Sequence, residues 1–398
     1  MSQTHSFPET STMTVPVPRE SIAPLSNSRR RALTGLAAAT AAAGLGFPAL
    51  AQNRPLRVGT TFDNSSVEKA NGQGLYQGSS AFFNALNKAG GINGSKVELV
   101  MADDTFKPDV AKANALAFEK DSSVLALVHP LGTRQTAEVM DAVPGMAVVG
   151  PITGTISLRK KNSPNTFWVR ANYDQEVEKL VSTAAVLGQS RIGLVHSNDP
   201  LGQSVLAAFK AALAKAKLEP AVIATTPNTT SMEVGPAAEA IAKAKPQVVV
   251  VGLAGTAPVF LKALREAGNS SSAYGLSITA SALSAMGDLA KGLGFVIVVP
   301  SPYSTKFEIV RRYQADMVAN GVKDFSLTSL EGYLNAAVLA EGMRRAGGSL
   351  TRASVMSGLA SIENFDLGGV KINYGRTNRE GGQFVDVAVI GSRGQMLS

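Results

Sequence analysis

The 398-residue chain has no cysteine, a single tryptophan and three histidines. Without cysteine there is no disulfide, no thiol nucleophile and no thiolate metal ligand, so the fold must be held by packing alone. His5, His129 and His196 are far apart in sequence. The last two each close an apolar run, Val128-His129 and Val195-His196, where a packed or hydrogen-bonded imidazole is the commoner role. No His/Asp/Glu cluster has metal-site spacing, and no G-x-S-x-G elbow or phosphate loop ending in Gly-Lys-Ser/Thr occurs. The formal net charge is +8, but the lysines and arginines are dispersed and form no long basic block, which removes the case for nucleic-acid binding.

What is present begins with Ser28-Arg29-Arg30-Arg31-Ala32-Leu33, followed by an Ala/Gly/Leu run and then Ala49-Leu50-Ala51. A twin arginine before a mildly apolar segment and a small-x-small site reads as a twin-arginine export signal, removed after Ala51. A membrane anchor or a basic tail are the alternatives. The run from Leu33 to Leu50 is poor in large side chains and short for a membrane span. Cleavage there leaves 347 residues with a formal charge of +6, a length that suits two domains.

From Leu56 onward, short apolar runs alternate with amphipathic segments. The pattern predicts strands at 57–62, 96–102, 124–128 and 146–149, with helices over 74–89, from Pro108 and from Thr133. A second set follows: strands at 192–196, 221–225, 247–251, 274–277 and 295–299, with helices at 201–217, 234–244, 257–267 and 282–290. The run Gln247–Val251 is almost all valine, as a parallel strand buried on both faces should be. Helices at 305–320, 330–346 and 351–360 come next, and then a strand-rich end with turns at 379–382 and 392–394. The fold class is therefore α/β, with two parallel-sheet lobes and ligands at the carboxyl ends of the strands.

No catalytic constellation is convincing. Gly72-x-Gly74-x-x-x-Gly78 misses the dinucleotide spacing and reads as helix entry and close packing, while Asp103-Asp104 reads as a loop with its cap rather than a carboxylate pair. Two loops stand out: Pro130-Leu131-Gly132-Thr133-Arg134-Gln135 opens a helix, and Gly150-Pro151-Ile152-Thr153-Gly154-Thr155 follows the next strand. Free helix-start N–H groups beside threonine hydroxyls bind a carboxylate well, although ordinary capping uses the same residues.

Taken in order, several segments resemble the type I periplasmic solute-binding proteins of the leucine/isoleucine/valine-binding group, which serve ABC importers. They are 74–94 with Gly90-Gly91-Ile92-Asn93-Gly94, Val97–Asp104, the Gly132-Thr133 loop, Phe167-Trp168-Val169-Arg170, His196–Gly202, Val299-Pro300-Ser301-Pro302, Ser329-Leu330-Glu331-Gly332-Tyr333 and Phe365-Asp366-Leu367-Gly368-Gly369. The resemblance implies two Rossmann-like lobes on a three-stranded hinge, 54–173 plus 301–368 and 174–300 plus 369–398, closing on ligand. It implies a monomeric periplasmic protein without cofactor, whose partners are a small-molecule carboxylate or amino acid, an ABC permease with its ATPase, and the twin-arginine export machinery. A periplasmic sensor for amides or small acids, or an exported enzyme, are the competing readings.

Carried over residue by residue, the resemblance places Thr133 on the ligand carboxylate, with Ile152, Thr153, Gly154 and Thr155 in the adjoining loop and Arg134 as a possible second cation. Asn71, Leu201 and Ala254 fall at or beside tyrosine positions of the family, and Tyr173 supplies an aromatic wall. Trp168 reads as core. The main departure is Ser277, where amino-acid binders carry a glutamate for the ligand ammonium. A serine cannot neutralise that charge, so the expectation is a carboxylate without an ammonium, an aromatic, hydroxy or branched keto acid, with an amide or a short peptide as the alternative.

Overall fold

The computed structural model describes residues 54–161, 163–375 and 378–398; the export signal expected over 1–51 lies outside them. The first lobe starts as β1 (Leu56–Phe62), α1 (Lys69–Lys88), β2 (Val97–Asp103), α2 (Pro108–Lys120), β3 (Val124–Val128), α3 (Thr133–Ala142), β4 (Ala147–Val149), α4 (Ile156–Arg159) and β5 (Thr166–Phe167). Its sheet runs β2-β1-β3-β4-β5, and every pairing is parallel.

The second lobe follows with α5 (Tyr173–Val186), β6 (Ile192–Ser197), α6 (Pro200–Ala216), β7 (Val222–Thr226), α7 (Gly235–Ala244), β8 (Val248–Gly252), α8 (Ala257–Glu266), β9 (Ser272–Gly275), α9 (Ser277–Ala280), α10 (Leu283–Met286) and β10 (Gly294–Ile297). The chain then returns to the first lobe with α11 (Glu308–Ala319), α12 (Leu327–Arg345), α13 (Arg352–Ala360), β11 (Phe365–Asp366) and β12 (Lys371–Ile372). It ends on the second sheet with β13 (Asp386–Ile390) and β14 (Met396–Leu397). That sheet runs β14-β13-β10-β9-β8-β6-β7, antiparallel only at β10–β13 and β13–β14. The fully buried valines of β8 sit between β6 and β9, each a parallel neighbour, which explains the near-pure valine run.

The chain thus passes between sheets three times. The third passage comes later than expected at 369, because Val370, Ile372 and Tyr374 pack in the first lobe's core, with the Tyr374 ring edge-on to Phe167 at 5.3 Å.

Four local departures have clear causes. Helix α1 begins at Lys69 rather than 74, because Gly72 and Gly74 serve close packing instead of helix entry: a Cβ on Gly72 would lie 2.0 Å from the Asp63 carbonyl oxygen. Strand β9 stops at Gly275, so Ser277 starts a short helix instead of ending a strand. The helix expected over 282–290 breaks at Gly287, whose φ of +53° leaves the helical region. Helix α5 was not foreseen; Asn172 starts it with a reciprocal capping box to Gln175. Trp168 is core, as read from sequence, beneath the Arg159 guanidinium 4.4 Å from its ring centre.

Candidate ligand-binding site

Strand β3 ends at Val128, and the chain turns sharply through His129 at φ +44° and Gly132 at φ +99° into α3. The φ of Gly132 suits glycine and strains any other residue. The loop after β4 runs beside it: the Ile152 amide donates to the Pro130 carbonyl at 2.9 Å and the Gly132 amide to the Ile152 carbonyl at 3.3 Å. This pairing brings three hydroxyls together. Thr133 Oγ1 lies 2.8 Å from Thr153 Oγ1 and 3.1 Å from Thr155 Oγ1, and Thr153 Oγ1 donates to Thr155 Oγ1 at 3.0 Å. All three threonines are buried, at the start of a helix with no side-chain cap on its first-turn amides. Hydroxyl donors and unpaired helix amides together form an anion-binding surface.

The surface faces a cavity of about 280 Å³ between the lobes. Of the residues expected at a site, Asn71, Thr133, Arg134, Ile152, Tyr173, Leu201, Ala254 and Ser277 line it. Thr153, Gly154 and Thr155 stand behind this lining. Thr153 and Thr155 orient Thr133, and Gly154 leaves room for the Tyr173 ring, which a Cβ would meet at 2.4 Å. Tyr173 is fully buried, and burial pushes its hydroxyl up to about 12. His129 and His196 lie off the cavity. His129 is bonded to Thr60 and Ser79 and His196 to the Ser197 carbonyl and Thr225, so both are structural. Asp104 accepts the Phe106 amide at 2.9 Å and a Thr61 hydroxyl at 3.2 Å, as a loop-stabilising residue does.

Of the charged groups at the site, sequence reasoning named Arg134 and missed others. Arg170, Glu331 and Glu68 all line the cavity. Arg170 Nη2 lies 3.1 Å from Glu176 Oε1, and its Nη1 lies 3.4 Å from Glu331 Oε1. Burial alone would lower the guanidinium; the two glutamates override it and hold Arg170 above its usual range. Glu331 is raised by burial, partly offset by Arg170. Ser277 is engaged in this set: its hydroxyl donates to Glu176 at 3.0 Å, its amide donates at 2.9 Å, and Arg170 donates to its hydroxyl. Glu68, at the N-cap of α1, accepts Asn71 Nδ2 at 2.5 Å and, across the cleft, the Gly255 amide at 3.3 Å. Asn71 Nδ2 also donates to Ser281 Oγ at 3.1 Å, a second lobe-to-lobe bond. The one available signal was placement: Glu68 lies just beyond the carboxyl end of β1, and Glu331 within a segment already singled out.

Among the described residues, no group of three or more His, Asp or Glu is arranged to hold a metal ion, and no helix is long and apolar enough to cross a membrane. A family model described as periplasmic binding protein matches residues 55–395. The chain is 28% identical over 163 residues to an amino acid binding protein of Pseudomonas aeruginosa, covering 40% of this chain and 43% of that one. It therefore spans under half the length of that curated relative. A substrate-binding periplasmic protein from Ralstonia solanacearum superposes with a TM-score of 0.79 at 28% identity, covering 86% of this chain and 99% of that one. An extracellular ligand-binding receptor from Verminephrobacter eiseniae gives the same TM-score of 0.79 and 28% identity, covering 86% of this chain and 100% of that one.

Proposed function

For a chain that belongs to the periplasmic binding protein family, we propose the role of ligand-binding subunit of an ABC importer of the branched-chain amino acid type, which captures a small carboxylate between its lobes and presents it to a permease. The observation that carries this reading is Thr133, which lines the interlobe cavity at the uncapped start of α3 and is held there by the Thr153 and Thr155 hydroxyls behind it. Such a site binds an anion without reacting with it. The cavity volume of about 280 Å³ suits a ligand of amino-acid or small aromatic-acid size. The relative described as an amino acid binding protein supports the same class. The segment Arg29-Arg30-Arg31 to Ala51 supports twin-arginine export and work in the periplasm, with cleavage leaving a chain that starts at Gln52.

The test is a thermal-shift screen of small carboxylates and amino acids on the chain from Gln52 to Ser398, followed by calorimetry of those that raise the melting temperature. A true ligand binds only the folded form and must stabilise it. Thr133→Ala removes a hydrogen bond to a charged group and should weaken binding by about tenfold or more. A screen in which no carboxylate stabilises the protein would sink this reading. Consumption of the ligand during the assay, abolished in Thr133→Ala, would point to an enzyme instead.

A further inference from the structure

Three carboxylates line the cavity, Glu68, Asp199 and Glu331, against two guanidiniums, Arg134 and Arg170. Glu176 and Glu331 share Arg170. Glu68 is only 5% exposed, lines the cavity, and has no ion-pair partner among the described residues. Its hydrogen bonds come from neutral donors, the Asn71 amide group and the Gly255 backbone, and the second of these is long at 3.3 Å. Burying a carboxylate without a cation is expensive, and a protein keeps such a group where a proton or a bound cation completes it.

We propose that Glu68 is the specificity-determining residue of the cleft: it receives an ammonium, or another charged N–H group, on the molecule whose carboxylate sits at Thr133. This rests on the reading of the Thr133 cluster as a carboxylate site and names the other end of the ligand. It also replaces the expectation drawn from Ser277. That serine carries no charge and is held by Glu176 and Arg170, but the acid it lacks is supplied from the opposite lobe, by the N-cap of α1. Asn71 acts as a positioning residue, its Nδ2 tying the Glu68 carboxylate to Ser281 on the far side of the cleft. Because Glu68 itself bonds Gly255 across the cleft, the charge it presents is completed where the two lobes meet.

The test is calorimetry on the chain from residue 52 onward, which forms one compact unit, with matched probes that differ only in the amino group: leucine against isocaproate, phenylalanine against hydrocinnamate, and β-alanine against propionate. The expected result is at least one pair in which the amino member binds about tenfold tighter or more. E68Q should bring that ratio close to one. If E68Q does not fold, E68D keeps the charge at shorter reach and should reduce the ratio. Des-amino members that bind as well as their partners, or a ratio that E68Q or E68D leaves intact, overturn the assignment while the carboxylate reading stands. Failure of every probe to bind the unmodified chain overturns both.

Discussion

The Ser277 hydroxyl and backbone amide both donate to the Glu176 carboxylate, at 3.0 and 2.9 Å. Glu176 comes from α5 and is fully buried, so it anchors the start of α9 to the segment where the chain first crosses between lobes. It is also the closest anion to Arg170. Removing it leaves a buried guanidinium with Glu331 alone and orphans the Ser277 amide. Glu176→Ala is expected to cost roughly 3–5 kcal/mol, the range for deleting one partner of a buried ion pair. Chemical denaturation of the variant measures this directly, and a loss below about 1 kcal/mol would show that the cluster does not hold the crossover.

Helices α1 and α12 approach so closely that a Cβ on Gly78 would lie 1.7 Å from the Ser329 carbonyl oxygen, and one on Gly332 2.2 Å from the Leu75 carbonyl oxygen. Both clashes are with backbone, which cannot rotate away. Gly78→Ala should therefore destabilise by about 3 kcal/mol or more through forced separation of the helices. Gly235→Ala, with nothing within 4 Å of its added carbon, is the matched control and should be close to neutral. Urea melts of the two variants in parallel separate steric from conformational effects, and equal losses would contradict the close-approach account.

How much of this was legible in the sequence follows from the range of each signal. The strand–helix rhythm is local, so β1, β3, β6 and β8 were found within a residue or so. The loops after β3 and β4 were legible because glycine and threonine at a strand end have few other uses. Helix α12 is buried on nearly every side from Thr328 to Ala340, so its sequence carries no stripe to say which side chain faces the cleft. Glu331 was hidden for that reason. Glu68 was hidden because α1 begins earlier than its glycines suggest, which placed Glu68 and Asn71 in a loop of no assigned direction. The polar pairing of the site joins residues more than a hundred positions apart, such as Arg170 with Ser277 and with Glu331, and no periodicity encodes it.

His129 stands between the Thr60 hydroxyl at 3.2 Å and the Ser79 hydroxyl at 3.0 Å, and burial pushes it down to about 3. A histidine depressed in the folded state stabilises the protein above its unfolded pKa of about 6.5, and that contribution is lost as pH falls toward the folded value. Nitrogen chemical shifts of the ring should report a neutral imidazole at pH 5, where an exposed histidine is protonated. A protonated His129 signal at that pH would contradict the geometry.

Asp104 has the opposite slope. It is fully buried, and burial, followed by the nearby Asp63 and Asp103, pushes its carboxyl up to about 7 against hydrogen bonds from Phe106 and Thr61 that lower it. The folded state therefore binds the proton more tightly than the unfolded chain, whose aspartates titrate near about 3.9. The stabilisation is complete below that value and is lost as pH rises through about 7. Asp104→Asn keeps an acceptor for the Phe106 amide and removes the titration. The unmodified chain should lose stability relative to this variant between pH 4 and pH 8, by at most about 4 kcal/mol on the usual conversion of three pKa units. Denaturation at a series of pH values checks it, and a stability difference that stays constant across that window would show that Asp104 titrates normally.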